Sequence, residues 1–187
     1  MNTTPALPEF LSYDAKTRFL HWASALLIVV LWFAGEFLDV FPKGTPRITA
    51  RSTHITVGIL LGVLLVMRLL WRRSGGVQLP PTGSARMGIA AKAGHRLLYA
   101  LIAAMVVSGI ALVWIRGDNI FNLFVVPAFD PGNKALRHDA KELHGLIANG
   151  LLLLGGLHGL VALWHQLVWK DGLLRRMWPL RQPAPDA

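Results

Sequence analysis

No cysteine occurs anywhere in the 187 residues. That excludes disulfides, iron–sulfur clusters, thiolate-ligated haem and the Cys-x-x-Cys-His attachment of a c-type haem. Charge is scarce too: 16% of residues carry it, against about 25% in a soluble domain. Acids are the rarer sign, 10 against 19 Lys and Arg. The net charge of +9 does not point to nucleic acid, because the basic residues cluster beside apolar segments rather than along one face. Finally, four long apolar blocks contain no interior proline.

What remains is hydrophobic, 53% of the chain, and it is concentrated in those blocks, at residues 19–38, 54–71, 95–115 and 143–169. Each is about as long as a bilayer crossing, which takes roughly 20 residues in a helix. Backbone groups in lipid must bond within their own segment, so helices are expected. The sequence therefore predicts an all-α integral membrane four-helix bundle, one domain over residues 1–178, with a disordered tail at 179–187. Pro and Gly fall in the connections, and the apolar stretch 120–129 is too short to span, so it should lie on the membrane surface or cap the bundle. The first block is too long, and lacks the small-residue site, for a cleaved signal peptide. No internal repeat is visible.

Orientation follows from Lys and Arg. Twelve of the nineteen lie at the N-terminus, in the second connection and at the C-terminus; seven (Lys43, Arg47, Arg51, Arg116, Lys134, Arg137 and Lys141) lie on the other side with six of the ten acids. Both termini are predicted to be cytoplasmic. Trp71, Trp114, Trp169 and Trp178 fall near block ends, as in an interfacial aromatic belt.

Ionisable residues inside a membrane are functional by default. Six of seven histidines lie in or at the ends of the blocks: His21, His54, His95, His144, His158 and His165; His138 reads as a solvated loop residue. His144 and His158 are 14 residues apart. At 1.5 Å and about 100° per residue this is roughly 21 Å of rise and about 40° short of four turns. One helix thus offers one imidazole at each of two depths. His54 matches the level of His144, and His21 that of His158. Two opposed imidazoles suit a six-coordinate haem iron, which has no free position for oxygen and so suits electron transfer. Two such haems would form a wire across the bilayer. Gly58 and Gly62 form a small-xxx-small pair, and Gly155, Gly156 and Gly159 surround His158, permitting close approach.

Other readings stay open. A membrane histidine can be an interhelical hydrogen bonder. A histidine-lined metal carrier is a third reading, though it would more often add mid-membrane carboxylates. His165 competes with His158 for the inner ligand role and ranks second, because WHQ at a helix end reads as interfacial. His95, opening the third helix within AGHRLLY, and His165 are quinone candidates, because quinone carbonyls need donors near the bilayer edge.

The segments RFLHW, RSTHITVGILLGVLLVMRLLWR, AGHRLLYALI and KELHGLIANGLLLLGGLHGLVALWHQLVWKDGLLRRMWP together resemble the bacterial cytochrome b561 family over nearly the whole chain. The fourth-helix segment is the most specific. The same 14-residue pair recurs in membrane cytochrome b subunits of formate dehydrogenases and hydrogenases. The resemblance implies two haem b groups, held by His21 with His158 and by His54 with His144, and ubiquinone at the membrane edge of a bacterial inner-membrane protein. Some members are superoxide oxidases, passing an electron from periplasmic superoxide to ubiquinone. Arg51, Lys134, Arg137 and Lys141 are then candidates for steering the anion, although ordinary loop charge explains them equally well. The alternative implied role is an electron-transfer subunit accepting from a dehydrogenase, a hydrogenase or a c-type cytochrome. Membrane lipid, quinone and a possible redox partner protein are the expected partners, and nucleic acid is not.

Overall fold

The computed structural model describes residues 12–80 and 83–178; the tail expected to be disordered, 179–187, lies outside them. Four helices dominate: α1 (Ala15–Glu36), α2 (Thr45–Ser74), α3 (Ala85–Arg116) and α4 (Lys134–Trp164). All four are long and apolar enough to cross a membrane. α4 continues into a π-helical turn, His165–Trp169. A two-residue hairpin, β1 (Asn119–Ile120) against β2 (Phe124–Val125), occupies the connection between α3 and α4.

The helix starts differ from the sequence expectation. α2, α3 and α4 begin nine or ten residues before the apolar blocks at 54, 95 and 143. Hydropathy marks where the side chains become apolar, whereas the caps mark where the backbone becomes helical. Ser84 accepts from the Met87 amide and Asn133 from the Leu136 amide, each satisfying an N-terminal donor. Gly44, at φ 95, turns the chain into α2, and Pro46 sits in its first turn, where no amide is needed. Two expectations fall with these boundaries. His138 lies on α4 rather than in a loop, and His95 lies about three turns inside α3 rather than opening it.

α1 packs on α2, α2 on α3, α3 on α4, and α4 back on α1, so α2 and α4 face each other diagonally. The small core is Leu61, Leu65, Ile102 and Leu151, with Leu27, Ile28, Leu31, Leu98 and Met105 around it. Other large apolar side chains, such as Leu26, Val107 and Leu153, point outward, as they do where hydrocarbon is the solvent.

The two ends are closed differently. At the end where the described residues begin and finish, called the terminal end, Asp14 accepts from Thr17, from Trp71 Nε1 at 3.0 Å and from the Val77 amide at 3.2 Å. Arg18 donates to the Trp178 carbonyl and Trp22 to that of Met177. At the opposite, hairpin end, the buried Asp118 carboxylate holds Arg116 and, at 3.4 Å, Arg51. Ser52, fully buried, accepts from the Phe121 amide and fixes the hairpin over α2. The stretch 120–129 therefore caps the bundle. Gly117 (φ 70) is the hinge into it: a Cβ there would stand 2.8 Å from Ala128 Cβ.

Candidate functional site

The histidines gather at two levels inside the bundle. Towards the hairpin end, the rings of His54 (α2) and His144 (α4) lie 6.4 Å apart, centroid to centroid, across the diagonal. Towards the terminal end, His21 (α1) and His158 (α4) lie 6.3 Å apart. Directly bonded imidazoles would sit about 5 Å apart, from a hydrogen bond of about 2.9 Å. A metal bonded at about 2 Å to one nitrogen of each ring needs roughly 6 Å between centroids. Both pairs have the wider spacing. His95 (α3) is only 5.3 Å from His158, in an edge contact, which is too close for an ion between them.

Haem fits this donor set on further observations. Nδ1 of His21 and Nδ1 of His54 are buried with no hydrogen-bond partner among the described residues, which interiors rarely tolerate without a ligand or water. His144 is oriented by its surroundings. Ser108 Oγ lies 3.0 Å from the Met105 carbonyl and 3.0 Å from His144 Nδ1. Its single proton goes to the carbonyl, so its oxygen accepts from Nδ1–H. That leaves Nε2 of His144 unprotonated, the state a metal ligand requires. Room is made by glycine: a Cβ at Gly109 would stand 3.1 Å from His144 Cε1, and one at Gly35 3.4 Å from His54 Cε1.

Those two glycines were not singled out from the sequence. Of the five that were, only Gly62 sits in a tight contact, its Cβ position 3.0 Å from Val106 Cγ1; the other four have nothing within 4 Å. A signal was present. Gly35 lies 14 residues after His21, Gly109 the same distance after His95, and Arg68 the same distance after His54. Every helix thus repeats the His144–His158 spacing. The hairpin level reads Gly35, His54, Gly109, His144; the terminal level reads His21, Arg68, His95, His158. Arg68, missed before, lies over the Tyr99 ring at 5.1 Å and within electrostatic reach of all three imidazoles there.

The remaining candidates are dispersed. His165 is not an exposed interfacial residue; it is 6% exposed and bonded through Nδ1 to Asp171 at 2.5 Å, because the π-helical turn tucks it inward. His95 is exposed on α3 and His138 on α4. Arg51 is half-buried against Asp118, and Lys141 reaches Asp39 at 3.8 Å. Arg137 donates to the Pro131 carbonyl, and Lys134 opens α4. Among the described residues no group of three or more His, Asp or Glu is placed to hold a bare metal ion.

The chain matches the family profile described as prokaryotic cytochrome b561 over residues 12–180. It is 32% identical to cytochrome b561 homolog 2 of Escherichia coli (strain K12) over 178 residues, 88% of this chain and 90% of that protein. It is 31% identical to the probable superoxide oxidase CybB of Yersinia pestis over 166 residues, 87% of this chain and 93% of that protein. Cytochrome b561 homolog 1 of Escherichia coli (strain K12) is 33% identical over 173 residues, 90% of this chain and 98% of that protein.

Proposed function

Because the chain belongs to the prokaryotic cytochrome b561 family, a family of haem b membrane electron-transfer proteins, we propose that it is a di-haem superoxide:ubiquinone oxidoreductase of the bacterial inner membrane. The balanced reaction takes one electron from each of two superoxide ions, releasing two molecules of oxygen. It delivers both electrons and two protons to ubiquinone, giving ubiquinol. The observation that carries the reading is the pair of imidazole gaps, 6.4 and 6.3 Å, at two levels of one bundle.

In this reading His54 and His144 hold the hairpin-end haem b, and His21 and His158 the terminal-end one. Bound there, each haem would supply a one-electron iron couple. The protein's part is to hold, orient and exclude. Ser108 fixes the His144 tautomer, Gly35 and Gly109 leave room for the His54 and His144 rings, and the hairpin caps that end of the bundle. Arg51 and Arg116 provide positive charge beside that level, partly offset by Asp118; Lys134, Arg137 and Lys141 stand at the rim. Both termini face the cytoplasm, where the basic excess lies. His165 and His95 are the groups at the terminal level able to bond quinone carbonyls.

The superoxide assignment draws on the name of the Yersinia pestis relative. The Escherichia coli relatives carry only the name cytochrome b561 homolog, and a membrane subunit fed by a dehydrogenase, hydrogenase or c-type cytochrome is the second reading. The test is a visible spectrum of oxidised protein mixed with a superoxide source and then ubiquinone. Prompt reduction followed by reoxidation supports the first reading. Haems that ignore superoxide yet respond to a reductase support the second.

A further inference from the structure

We propose that Asp171 is a positioning residue for His165, fixing that imidazole as the proton donor to ubiquinone at the terminal end; this rests on the ubiquinone reading above. The geometry is local and over-determined. After α4 the chain makes a π-helical turn, then Lys170 takes a left-handed conformation (φ 52), and the backbone doubles back. The Asp171 amide donates to the His165 carbonyl at 3.3 Å. Asp171 Oδ2 meets His165 Nδ1 at 2.5 Å, and Oδ1 accepts from the Leu173 amide at 3.0 Å. Both carboxylate oxygens are thus used, one holding the imidazole and the other holding the carboxylate.

Non-glycine residues seldom adopt left-handed backbone, and π-helical turns concentrate at functional sites. Here both serve one contact. The imidazole is buried against Trp169, ring centroids 4.5 Å apart, while the Asp171 side chain keeps 31% of its surface in water. A carboxylate on Nδ1–H fixes the tautomer, leaving Nε2 as the working nitrogen. Bonds from His165 and Leu173, with the Arg176 charge nearby, hold the Asp171 carboxyl below its usual range despite the opposing effect of burial. Asp171 is therefore ionised when the imidazole needs it.

The chemistry balances. Ubiquinone gains two electrons, supplied from superoxide through the protein, and two protons, supplied by water at the terminal end. Nε2, left bare by the Nδ1–H bond to Asp171, takes a proton as an O–H bond of water breaks; that Nε2–H bond then breaks as an O–H bond forms on the quinone carbonyl oxygen, and the hydroxide leaves to the aqueous side. Asp171 exchanges no proton with the quinone.

The experiment uses pre-reduced full-length protein mixed with ubiquinone-1 in stopped flow, for the wild type, Asp171→Asn, Asp171→Ala and Asp171→Glu. Haem content and absorption spectra should match wild type in all. Reoxidation at saturating ubiquinone-1 should slow at least about tenfold in the Asn and Ala variants, with half-saturation within about twofold and a larger solvent deuterium effect. Glu should restore most of the rate. Wild-type rates in both the Asn and Ala variants would overturn the role of Asp171 while leaving the quinone reading intact. Loss of haem from both would overturn it by making Asp171 a residue of the fold. Failure of ubiquinone-1 to reoxidise even the wild type would remove the quinone reading itself.

Discussion

The hairpin-end and terminal-end levels are built from the same register but filled differently. At the hairpin level two histidines alternate with two glycines, and a serine orients one ring. Among the described residues that level offers a single pair of imidazoles, His54 and His144. At the terminal level the glycine positions are taken by His21 and His95, and a histidine position by Arg68. That level has a surplus of imidazoles, a half-buried cation and a clasp of loops around Asp14. The difference separates two tasks. Under the proposed function, one level needs only to hold a group and admit an electron, and the other must also pass electrons and protons to a second molecule.

Removing the paired imidazoles should break the comparison most severely. His54→Ala or His144→Ala should lower the haem count from two to one and leave the terminal-end haem spectrally intact. His158→Ala should do the reverse. The pyridine-haem assay and low-temperature spectra check both. Crowding the hairpin-level imidazoles comes next. Gly109→Val should push His144 off its position and remove the hairpin-end haem alone. Gly35→Ala, at an ordinary 3.4 Å contact, should keep both.

Arg68→Gln sharpens the contrast without unloading either site. Losing a half-buried positive charge disfavours added electrons nearby. The terminal-end midpoint potential should fall by on the order of tens of millivolts while the other stays fixed, as read by a redox titration. The smallest effect concerns the clasp. Asp14 is also drawn in by burial, which raises its pKa, but the bonds from Thr17, Val77 and Trp71 win and hold it at about 2, against 3.8 when unconstrained. Since the folded value is the lower one, its contribution is full above about pH 4 and disappears as pH falls towards 2. Water screens the carboxylate, so about 1 kcal/mol is expected. Asp14→Asn should lower the melting temperature at pH 6 and leave it nearly unchanged at pH 2.

Much of this was legible in the residues. The four spans follow from long apolar blocks without proline, and the His144–His158 spacing places two levels on one helix face. The helix starts were not legible, because caps such as Asn133 and Ser84 lie in polar sequence outside the apolar signal. His138 was misplaced for that reason. The burial of His165 escaped because a π-helical turn breaks the 3.6-residue register on which facing is judged. Gly35 and Gly109 escaped because the 14-residue rule was applied to one helix, when all four obey it.

The most direct test of the central claim is haem stoichiometry with electron paramagnetic resonance on the purified oxidised protein. The account predicts two haem b per chain, both low-spin with the signature of two axial imidazoles. One haem, a high-spin iron with an open position, or no haem would contradict it.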